Sequence, residues 1–453
     1  MHHRIDTALK TLRQDLALTI GDEAVERACR EVGYRWRRRL LGPAAIVRWF
    51  LLQILFGNTA AEHVTLLAER RFSSSAYCRA RRRLPLAVTQ ALLAGLAAAC
   101  GADVDAARWR GRRTFLVDGS SFSTPDTPEL RGRFGLAGNQ KPGCAFPTVK
   151  LLAMFHAGTG MLTRALVMPH RDGEVSRLDD AHSALRTGDV LVGDRGFCSF
   201  AHLARLATLG VDGVFRVNLR RIVDFTPNRP HAEPDDDSAD AKGLPRSRWL
   251  RSLGSPDDQL VEWYKPRRRA SWMDAAAHDA LPESLEVREL RYRVGRRGFR
   301  TRTVVLATTL LDAEEFPAEA LAELYGARWG VEQDLRDLKQ AMGMDVLKCK
   351  SIDGVLKELT AYAIVYNLVR AVIGEAARRQ DVPVDRIGFT DALRWLRERA
   401  TQPDGPLPAL IVVPLRPGRV EPRAVKRRPK PYPRLTKPRS EMRKDLIRQW
   451  DTP

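Results

Sequence analysis

The sequence predicts an α/β protein in which a mixed sheet follows a helical segment and precedes a basic one. Apolar residues repeat at helical spacing through roughly the first 105 residues. From Gly111 onward they form short runs separated by glycine, aspartate and threonine, which is typical of strands joined by turns. A stretch rich in proline and aspartate, 227–245, then separates these strands from further β-like runs.

The composition is that of a globular chain with a strong positive charge. Of its 453 residues, 44% are hydrophobic and 29% are charged. The 75 Lys and Arg outnumber the 55 Asp and Glu, which gives a formal net charge of +20. This excess favours a polyanionic partner, because each neutralised phosphate releases a counterion. Nucleic acid, a ribosome or an anionic membrane surface would each satisfy such a charge.

No targeting or membrane-spanning segment is predicted. The first twenty residues carry charges throughout. The most apolar run, 44–57, is too short for a bilayer and contains Arg48 and Gln53, so we expect it to form a buried helix. Six cysteines occur without a Cys-x2-Cys pair, which argues against a zinc site and a disulfide framework. We therefore expect a cytoplasmic protein without a membrane partner.

Residues 1–110 are expected to form a helical DNA-binding domain. Between 63 and 85, a helix ending in basic residues is followed by a short turn, a serine suited to an N-cap and a second helix. This order suits a helix-turn-helix-like reader of DNA, with the second helix contributing Arg79, Arg82 and Arg83. The alternative is a helical bundle with a basic solvated face. The positive charge of the whole chain favours DNA contact.

Residues 111–220 predict the core of the sheet. They give a strand that runs into Asp118, a hairpin around Ala-Gly-Thr-Gly and a helix. A strand that ends at Asp194, another helix and a last strand follow. This order matches the first part of a ribonuclease-H-like α/β core, in which carboxylates at strand ends share one crevice.

Three further segments complete the predicted organisation. Residues 221–310 are predicted to be a β-rich insertion that interrupts the core. Residues 311–380 are predicted to be the second part of the core, with a charged helix that contains Glu332. Residues 381–453 are expected to be a C-terminal helical and basic, proline-rich segment, which either binds phosphates or is a disordered tail.

The charged stretch YGARWGVEQDLRDLK, 325–339, places four polar side chains on one face of a helix. At about 100° per residue, Arg328, Glu332 and Lys339 fall within about 60° of Tyr325. Apolar residues form a stripe beside this face, as expected for a helix that docks on a core. The alternative is a solvated helix with i,i+4 ion pairs, each worth only ~0.2–0.5 kcal/mol.

Phosphodiester chemistry requires carboxylates, which are supplied here by Asp118, Asp194 and Glu332. Two Mg²⁺ ions about 3.5–4 Å apart can activate the attacking oxygen and stabilise the leaving oxygen. Mg²⁺ takes a few carboxylate oxygens plus water and substrate phosphate. We therefore predict that the three acids hold two Mg²⁺ ions, with Asp118 bridging both. Alternatively, Asp118 opens an Asp-Gly turn and Asp194 caps a strand end beside Arg195.

These motifs resemble the DDE transposases of the insertion sequence four family. Tyr325, Arg328, Glu332 and Lys339 match the family's Tyr-x2-Arg-x3-Glu-x6-Lys motif without a gap. The segments DGSSFSTPDTPE and GDVLVGDRGF resemble those around the family's two aspartates, and a β-rich insertion before the glutamate is a family trait. The likeness extends over roughly 70–370 of the sequence.

The resemblance implies an activity, a cofactor and partners. It implies that the three acids bind Mg²⁺, with Mn²⁺ able to replace it, and that Tyr325, Arg328 and Lys339 contact DNA, with Arg195 beside them. The partners would be double-stranded DNA, both the inverted repeats at the transposon ends and the target. A homodimer associated with the bacterial nucleoid would synapse two ends, cut them and join each 3′-OH to target DNA.

The resemblance also points to secondary residues. Relatives stack a flipped base on a tryptophan of the insertion, and the candidates here are Trp249, Trp263 and Trp272. Three further acids resemble residues near the family's motifs and are interpreted mainly as capping or surface groups: Asp126, Glu129 and Glu174.

Two other functions remain open from the sequence. One is a different two-metal nuclease on the same core, such as a junction resolvase, which would yield no strand-joining products. The other is a catalytically silent or domesticated relative that only binds DNA, for example as a repressor. The intact four-residue motif argues against the first, and the presence of all three acids argues against the second.

Overall fold

The computed structural model describes residues 9–10, 13–68, 71–136, 144–233, 243–294, 302–402, 407–414 and 437–450. Within these residues, nine strands form one sheet. The strands are β1 (Thr114–Ser123), β2 (Thr148–His156), β3 (Leu162–Pro169), β4 (Val190–Gly193), β5 (Asp212–Arg216), β6 (Ser247–Ser255), β7 (Asp258–Tyr264), β8 (Ser284–Val294) and β9 (Arg302–Thr308). Their order across the sheet is β3-β2-β1-β4-β5-β9-β8-β7-β6.

Helices cover both faces of the sheet and form the N-terminal segment. The first seven are α1 (Gln14–Ile20), α2 (Asp22–Glu31), α3 (Pro43–Leu55), α4 (Ala61–Leu66), α5 (Ser74–Arg83), α6 (Leu86–Ala99) and α7 (Gly101–Ala106). Between strands lie α8 (Pro128–Phe134), α9 (Leu178–His182), α10 (Phe200–Thr208) and α11 (Ala275–Asp279). After the sheet come α12 (Ala318–Ala327), α13 (Trp329–Arg336), α14 (Ile352–Gln380), α15 (Phe389–Thr401) and α16 (Arg439–Trp450).

The half of the sheet made by β1 to β5 has the predicted order of elements. β2 pairs antiparallel with both β1 and β3, as a hairpin and its neighbour do. β4 pairs parallel with β1 and with β5, and α10 connects the two parallel strands β4 and β5. All four residues of β4 are buried. Such a continuous apolar run suits a strand covered on both faces.

Alternate residues of the central strands belong to two separate apolar clusters, because successive side chains of a strand point to opposite faces. Leu116 of β1 and Val192 of β4 pack with the N-terminal helices and with α12 to α15. Val117 packs instead with α9, α10 and the strands β7 and β8. By the same alternation, Asp118 and Asp194 face the layer that contains α12 to α15.

The strands β6 to β9 continue the same sheet. β9 pairs antiparallel with β5, and β8, β7 and β6 follow in turn. The predicted 221–310 region is therefore β-rich, but its strands extend the central sheet. The strand β6 was not predicted, because its sequence SRWLRSLGS has a glycine, three serines and two arginines and no β-branched residue.

The 29-residue helix α14 is the centre around which the other helices pack. It contacts α3 and α6 of the N-terminal segment, as well as α15 and the edge strand β3. The apolar run expected to be a buried helix is α3, where Leu52, Ile54 and Leu55 are fully buried. Within the described ranges, no helix has the length and apolarity needed to cross a membrane.

Candidate active site

Asp118 and Asp194 lie side by side where the parallel pairing of β1 with β4 ends. The last pair in register is Val117 with Gly193, so the aspartates are the next residues on two adjacent strands. The strand β1 continues to Ser123 against β2. The prediction that this strand ends at Asp118 is therefore wrong, because only its parallel partner ends there.

The environment of Asp118 disfavours its charge. Burial raises the pKa of Asp118 to about 6, while the Gly119 N–H, which donates to its Oδ1 at 2.7 Å, acts in the opposite direction. The negative charges of Asp194 and Glu174 raise this pKa further, and Arg328 lowers it. Several acids thus share one partly buried space, an arrangement that a bound cation would stabilise.

A tight turn fixes the position of Asp194. Its Oδ1 accepts a hydrogen bond from the Gly196 N–H at 2.7 Å, and the Phe197 N–H donates to its carbonyl at 3.2 Å. Arg195 is half-buried in this turn. Among the described ion pairs there is none between Asp194 and Arg195, but the hydrogen bond from the Gly196 N–H fits the alternative in which Asp194 caps the end of the strand.

Arg328 joins Glu332 to Asp118. Its Nη2 lies 3.2 Å from Glu332 Oε1 and its Nη1 lies 3.8 Å from Asp118 Oδ2. The guanidinium is nearly buried, with Arg328 9% exposed, whereas the Glu332 side chain is 44% exposed. The three side chains therefore meet across the interface between the sheet and α13.

The single helix predicted around Glu332 is instead two α-helices followed by a π-helical turn. Helix α12 ends at Ala327, α13 starts at Trp329, and a π-helical turn spans Asp337–Ala341. Glu332 lies on α13 and Lys339 lies in the π turn. The charged stretch is helical as predicted, but a change of helix separates Tyr325 from Glu332 and a change of helix type separates Glu332 from Lys339.

Tyr325 and Lys339 flank the carboxylates, the first from a buried and the second from a half-buried position. Tyr325 is 8% exposed, its ring centroid lies 5.6 Å from the Arg328 guanidinium, and burial raises its pKa. Lys339 Nζ lies 5.1 Å above the ring of Phe122 on β1, and burial lowers its pKa. Phe122 belongs to the same cluster as Leu116, so Lys339 is on the Asp118 face of β1.

Glu174, interpreted from the sequence as a capping or surface group, is half-buried beside this site. Its carboxyl group occupies the space of a side chain at Gly119, on the face of β1 opposite to Asp118, since an added Cβ there would lie 2.1 Å from Glu174 Cδ. Burial raises the pKa of Glu174, Lys150 lowers it and Asp194 raises it. The glycine that follows Asp118 is the only signal in the sequence of this close approach.

The other two secondary acids have structural partners, as expected. Asp126 forms ion pairs with Arg131 and with Arg439 of α16. Glu129 accepts a hydrogen bond from the backbone N–H of Ile352 at 2.8 Å and so caps the first turn of α14.

The arginines predicted to bind DNA from the N-terminal segment are separate from the carboxylates. Arg79, Arg82 and Arg83 are exposed on α5. Ser73 caps this helix by accepting from the Ala76 N–H at 3.1 Å, as the sequence predicts. None of the three arginines forms a described ion pair with Asp118, Asp194 or Glu332.

The tryptophan candidates differ in accessibility. Trp263 is 1% exposed, donates from Nε1 to Glu289 at 2.9 Å and is covered by the Arg221 guanidinium at 3.5 Å, so it is a core residue. Trp249 and Trp272 are half-buried. In contrast, Trp329 is 59% exposed and its ring lies 5.5 Å from the Arg328 guanidinium.

The donor set fits a hard cation that keeps part of its own water shell. Every acid at the site offers carboxylate oxygens, the ligands that Mg²⁺ prefers. In the part of the chain that the structure describes, no three Asp, Glu, His or Cys side chains converge to hold one ion by themselves. Mg²⁺ does not require such a cage, because it is commonly held by one or two carboxylates together with water and substrate phosphates.

Comparison with known proteins identifies the family. Residues 109–368 match the family model described as the transposase DDE domain, which is more than half of the chain. The chain is 23% identical over 456 residues to "Transposase InsG for insertion sequence element IS4" of Escherichia coli (strain K12), covering 94% of this chain and 96% of that one.

A cryo-EM structure of the piggyBac transposase synaptic complex with hairpin DNA is also similar, with 12% identity and a TM-score of 0.45. The match covers 88% of this chain and 80% of the piggyBac chain. By its family match, the chain belongs to the DDE transposases, enzymes that act on DNA, and the predicted resemblance to the insertion sequence four family is confirmed.

Proposed function

We propose that this transposase acts by a cut-and-paste reaction in which Asp118, Asp194 and Glu332 hold two Mg²⁺ ions at the cleaved phosphodiester. The observation that carries the proposal is the position of Arg328, whose guanidinium contacts both Glu332 and Asp118. The positive guanidinium lies between an acid from a strand and an acid from a helix. Carboxylates that gather around a positive charge in this way are expected where divalent ions bind in the loaded enzyme.

The fold supports a catalytic core of the ribonuclease-H-like type. The strand order is β3-β2-β1-β4-β5, and two carboxylates lie where the parallel strands β1 and β4 stop pairing, which supports the shared crevice expected for such a core. The strands β6 to β9 would then be the β-rich insertion before the glutamate helix. The helices α1 to α7, with the arginines of α5, would form the DNA-binding N-terminal domain.

Each polar group at the site has a role in this mechanism. Bound Mg²⁺ supplies Lewis-acid activation of the attacking and leaving oxygens. Asp118, Asp194 and Glu332 position these ions, and Mn²⁺ would replace Mg²⁺ on the same oxygen ligands. The Nε of Arg328 is buried without an acceptor among the described residues. The guanidinium of Arg328 would contact a phosphate oxygen of the cleaved strand, and Lys339 would neutralise the next phosphate.

The remaining steps follow from this chemistry. Water attacks the phosphodiester at the transposon end and releases a 3′-OH, which then attacks a phosphodiester of the target DNA. Two ends must be held together for this joining, so we propose that a homodimer forms the synaptic complex. The enzyme would act on the bacterial nucleoid.

The test is cleavage of strand-labelled duplex DNA that carries the flanks of the gene, with Mg²⁺, Mn²⁺ or EDTA. We expect cutting at a fixed position in either metal, no cutting in EDTA, and strand joining when supercoiled target DNA is added. Metal-dependent cutting without joined products would favour a nuclease. Specific binding without cutting, with both ends supplied, would favour the silent DNA-binding relative.

A further inference from the structure

A cavity of about 470 Å³ lies between α5 and the first two turns of α14. We call it the basic groove. Its wall on the α14 side begins with the segment 348–351, which precedes that helix. Among the described residues, one carboxylate, Asp353, and six basic side chains line it: Arg79, Arg81, Arg82, Lys348, Lys350 and Lys357.

The two walls of the basic groove are fixed to each other. Lys357 Nζ, from α14, donates to the carbonyl of Arg82 on α5 at 3.0 Å. Arg81 donates to Gln53 Oε1 at 2.7 Å, and its Nη2 lies 3.6 Å from Cys349 Sγ on the opposite wall. These contacts hold α5 against α14 before any ligand is present.

The buried carboxylate of Glu358 fixes the segment that carries Lys348 and Lys350. Its Oε1 and Oε2 accept from the backbone N–H groups of Lys348 and Cys349, both at 2.8 Å. Glu358 is 1% exposed and also accepts from Asn58 of the N-terminal segment. The backbone of the basic groove is therefore preformed, so ligand binding would have to order only its exposed side chains.

Three of the six basic side chains are free to bind a ligand. Lys357 pairs with Asp353, Lys348 Nζ donates to the carbonyl of Asn58, and Arg81 is held by Gln53. The other three are exposed and form no hydrogen bond or ion pair with the described residues: Arg79, Arg82 and Lys350.

The helix terminus contributes less than the side chains. The Ile352 N–H donates to Glu129, and the Gly354 N–H donates to Ser351 Oγ at 3.2 Å, so two amides of the first turn of α14 are already occupied. Positive charge on two opposed walls therefore dominates the electrostatics of the basic groove.

We propose that the basic groove binds the sugar–phosphate backbone of duplex DNA and so joins the N-terminal helices to the catalytic half of the chain on one strand. This rests on the proposed function, and it adds Lys350 and the start of α14 to the arginines of α5. A linear polyanion can contact Arg79 and Arg82 on one wall and Lys350 on the other. Phosphate contacts of this kind fix register without reading bases.

The first test measures the salt dependence of binding to a fluorescent duplex by anisotropy. Each lost phosphate contact should lower the slope of log K against log salt by about 0.9. We expect this for Arg82→Ala and Lys350→Ala, and a loss of about twice that size for the double variant. The control is Arg251→Ala. Arg251 is exposed on the edge strand β6, whereas α14 contacts the other edge strand, β3, so Arg251 lies at the far end of the sheet from the basic groove.

The second test uses the cysteines of the basic groove as reporters. Cys78 is exposed in this cavity. Cys349 faces it from the other wall, and burial raises the pKa of Cys349 to about 12, so its thiol reacts slowly at neutral pH. We expect duplex DNA to protect Cys78 from iodoacetamide, measured by peptide mass spectrometry, and inorganic phosphate at equal ionic strength to protect it little.

The outcomes separate the two proposals. If wild-type protein binds no DNA, the proposed function fails. If it binds DNA while Cys78 stays reactive and Lys350→Ala keeps the wild-type slope, the basic-groove proposal is wrong and the function stands. Equal protection by inorganic phosphate would overturn duplex DNA as the ligand in favour of a small anion. Circular dichroism of each variant must match wild type for these comparisons to apply.

Discussion

Asp118 and Asp194 are the residues that directly follow the last parallel pair of β1 and β4, Val117 with Gly193. Parallel pairing places their side chains on the same face of two neighbouring strands, where Arg328 and the helix with Glu332 cover them. Pairing with β2 keeps β1 extended beyond this point, so Asp118 is held by a strand rather than a loop. A rigid element positions a metal ligand more accurately than a loop does.

Gly119 and Glu174 should be energetically coupled. Gly119→Ala places a Cβ 2.1 Å from Glu174 Cδ, which forces the carboxyl group to move. Because a glutamate side chain can rotate, we expect a loss of about 1 kcal/mol in the free energy of unfolding. Urea denaturation measures this value.

The matched control is the double variant Gly119→Ala with Glu174→Ala, which removes the clash. The cost of Gly119→Ala should largely disappear in the Glu174→Ala background, giving a coupling energy of about 0.5 kcal/mol or more. Additive effects of the two substitutions would contradict the close approach of Glu174.

Arg328 should matter more for catalysis than for folding. Its partner Glu332 is 44% exposed, so solvent screens the pair and we expect Arg328→Gln to change the free energy of unfolding by less than about 1 kcal/mol. Cleavage should fall by roughly 10²–10³-fold, as is typical when one preorganised donor to the reacting group is removed. A loss of stability that accounts for the whole loss of activity would show a purely structural arginine.

The buried pair His182 and His202 should make stability depend on pH. Their Nε2 atoms lie 3.0 Å apart, a distance that leaves room for one proton between them. Burial lowers the pKa of His182 to about 4 and that of His202 to about 3, with Arg205 lowering the first further. Asp179 lies 3.7 Å from His182 Nδ1, and its charge raises the pKa of His202, against the effect of burial.

The direction of this pH dependence follows from the linkage between proton binding and folding. Below the unfolded pKa of about 6.5, the unfolded chain binds more protons than the native one, so stability falls as pH drops towards the native pKa values. Between pH 7 and pH 5 the loss should be on the order of 2 kcal/mol per histidine. Urea unfolding of wild type and of the double variant His182→Gln, His202→Gln measures it. If the variant keeps the wild-type pH dependence, the pair is not the cause.

Truncation of Trp263 should destabilise the fold strongly, whereas truncation of Trp329 should hardly change its stability. Trp263→Ala removes a buried ring and its hydrogen bond to Glu289, and we expect a loss of roughly 3–5 kcal/mol in the free energy of unfolding. Trp329→Ala should change stability by less than about 0.5 kcal/mol, since its ring is mostly solvated.

DNA binding then distinguishes the two tryptophans. If Trp329 stacks on a base near the cleaved strand, its removal should weaken end binding by roughly 1–3 kcal/mol, measured by anisotropy. Unchanged affinity for Trp329→Ala would show that the exposed ring has no role in DNA contact.

Much of the core could be predicted because its strands are short and almost wholly apolar. The run from Val190 to Gly193 and the hairpin of β2 and β3 have clear boundaries, and Asp194 directly follows the first of them. The edge strand β6 could not be predicted, because exposed edge positions accept polar residues and leave no apolar pattern. Pairing with β7, a tertiary contact, determines its conformation.

The site was predicted less completely for two physical reasons. Helical periodicity places Tyr325, Arg328, Glu332 and Lys339 on one face, but it carries no signal of the break at Arg328 or of the π turn that follows. Glu174 comes to the site through the chain's path between β3 and β4. Only the three-dimensional packing against Gly119 shows that contact.

The most direct measurement compares DNA cleavage by Glu332→Gln and Glu323→Gln in Mg²⁺. Glu323 is an exposed acid on α12, in the helix that precedes α13, and it serves as the matched control. We predict that Glu332→Gln binds the transposon end as wild type does and cuts it at least about a hundredfold more slowly, because a metal ligand has lost its charge. The control should cut normally. Equal cleavage by both variants would contradict the assignment of Glu332 to the catalytic site.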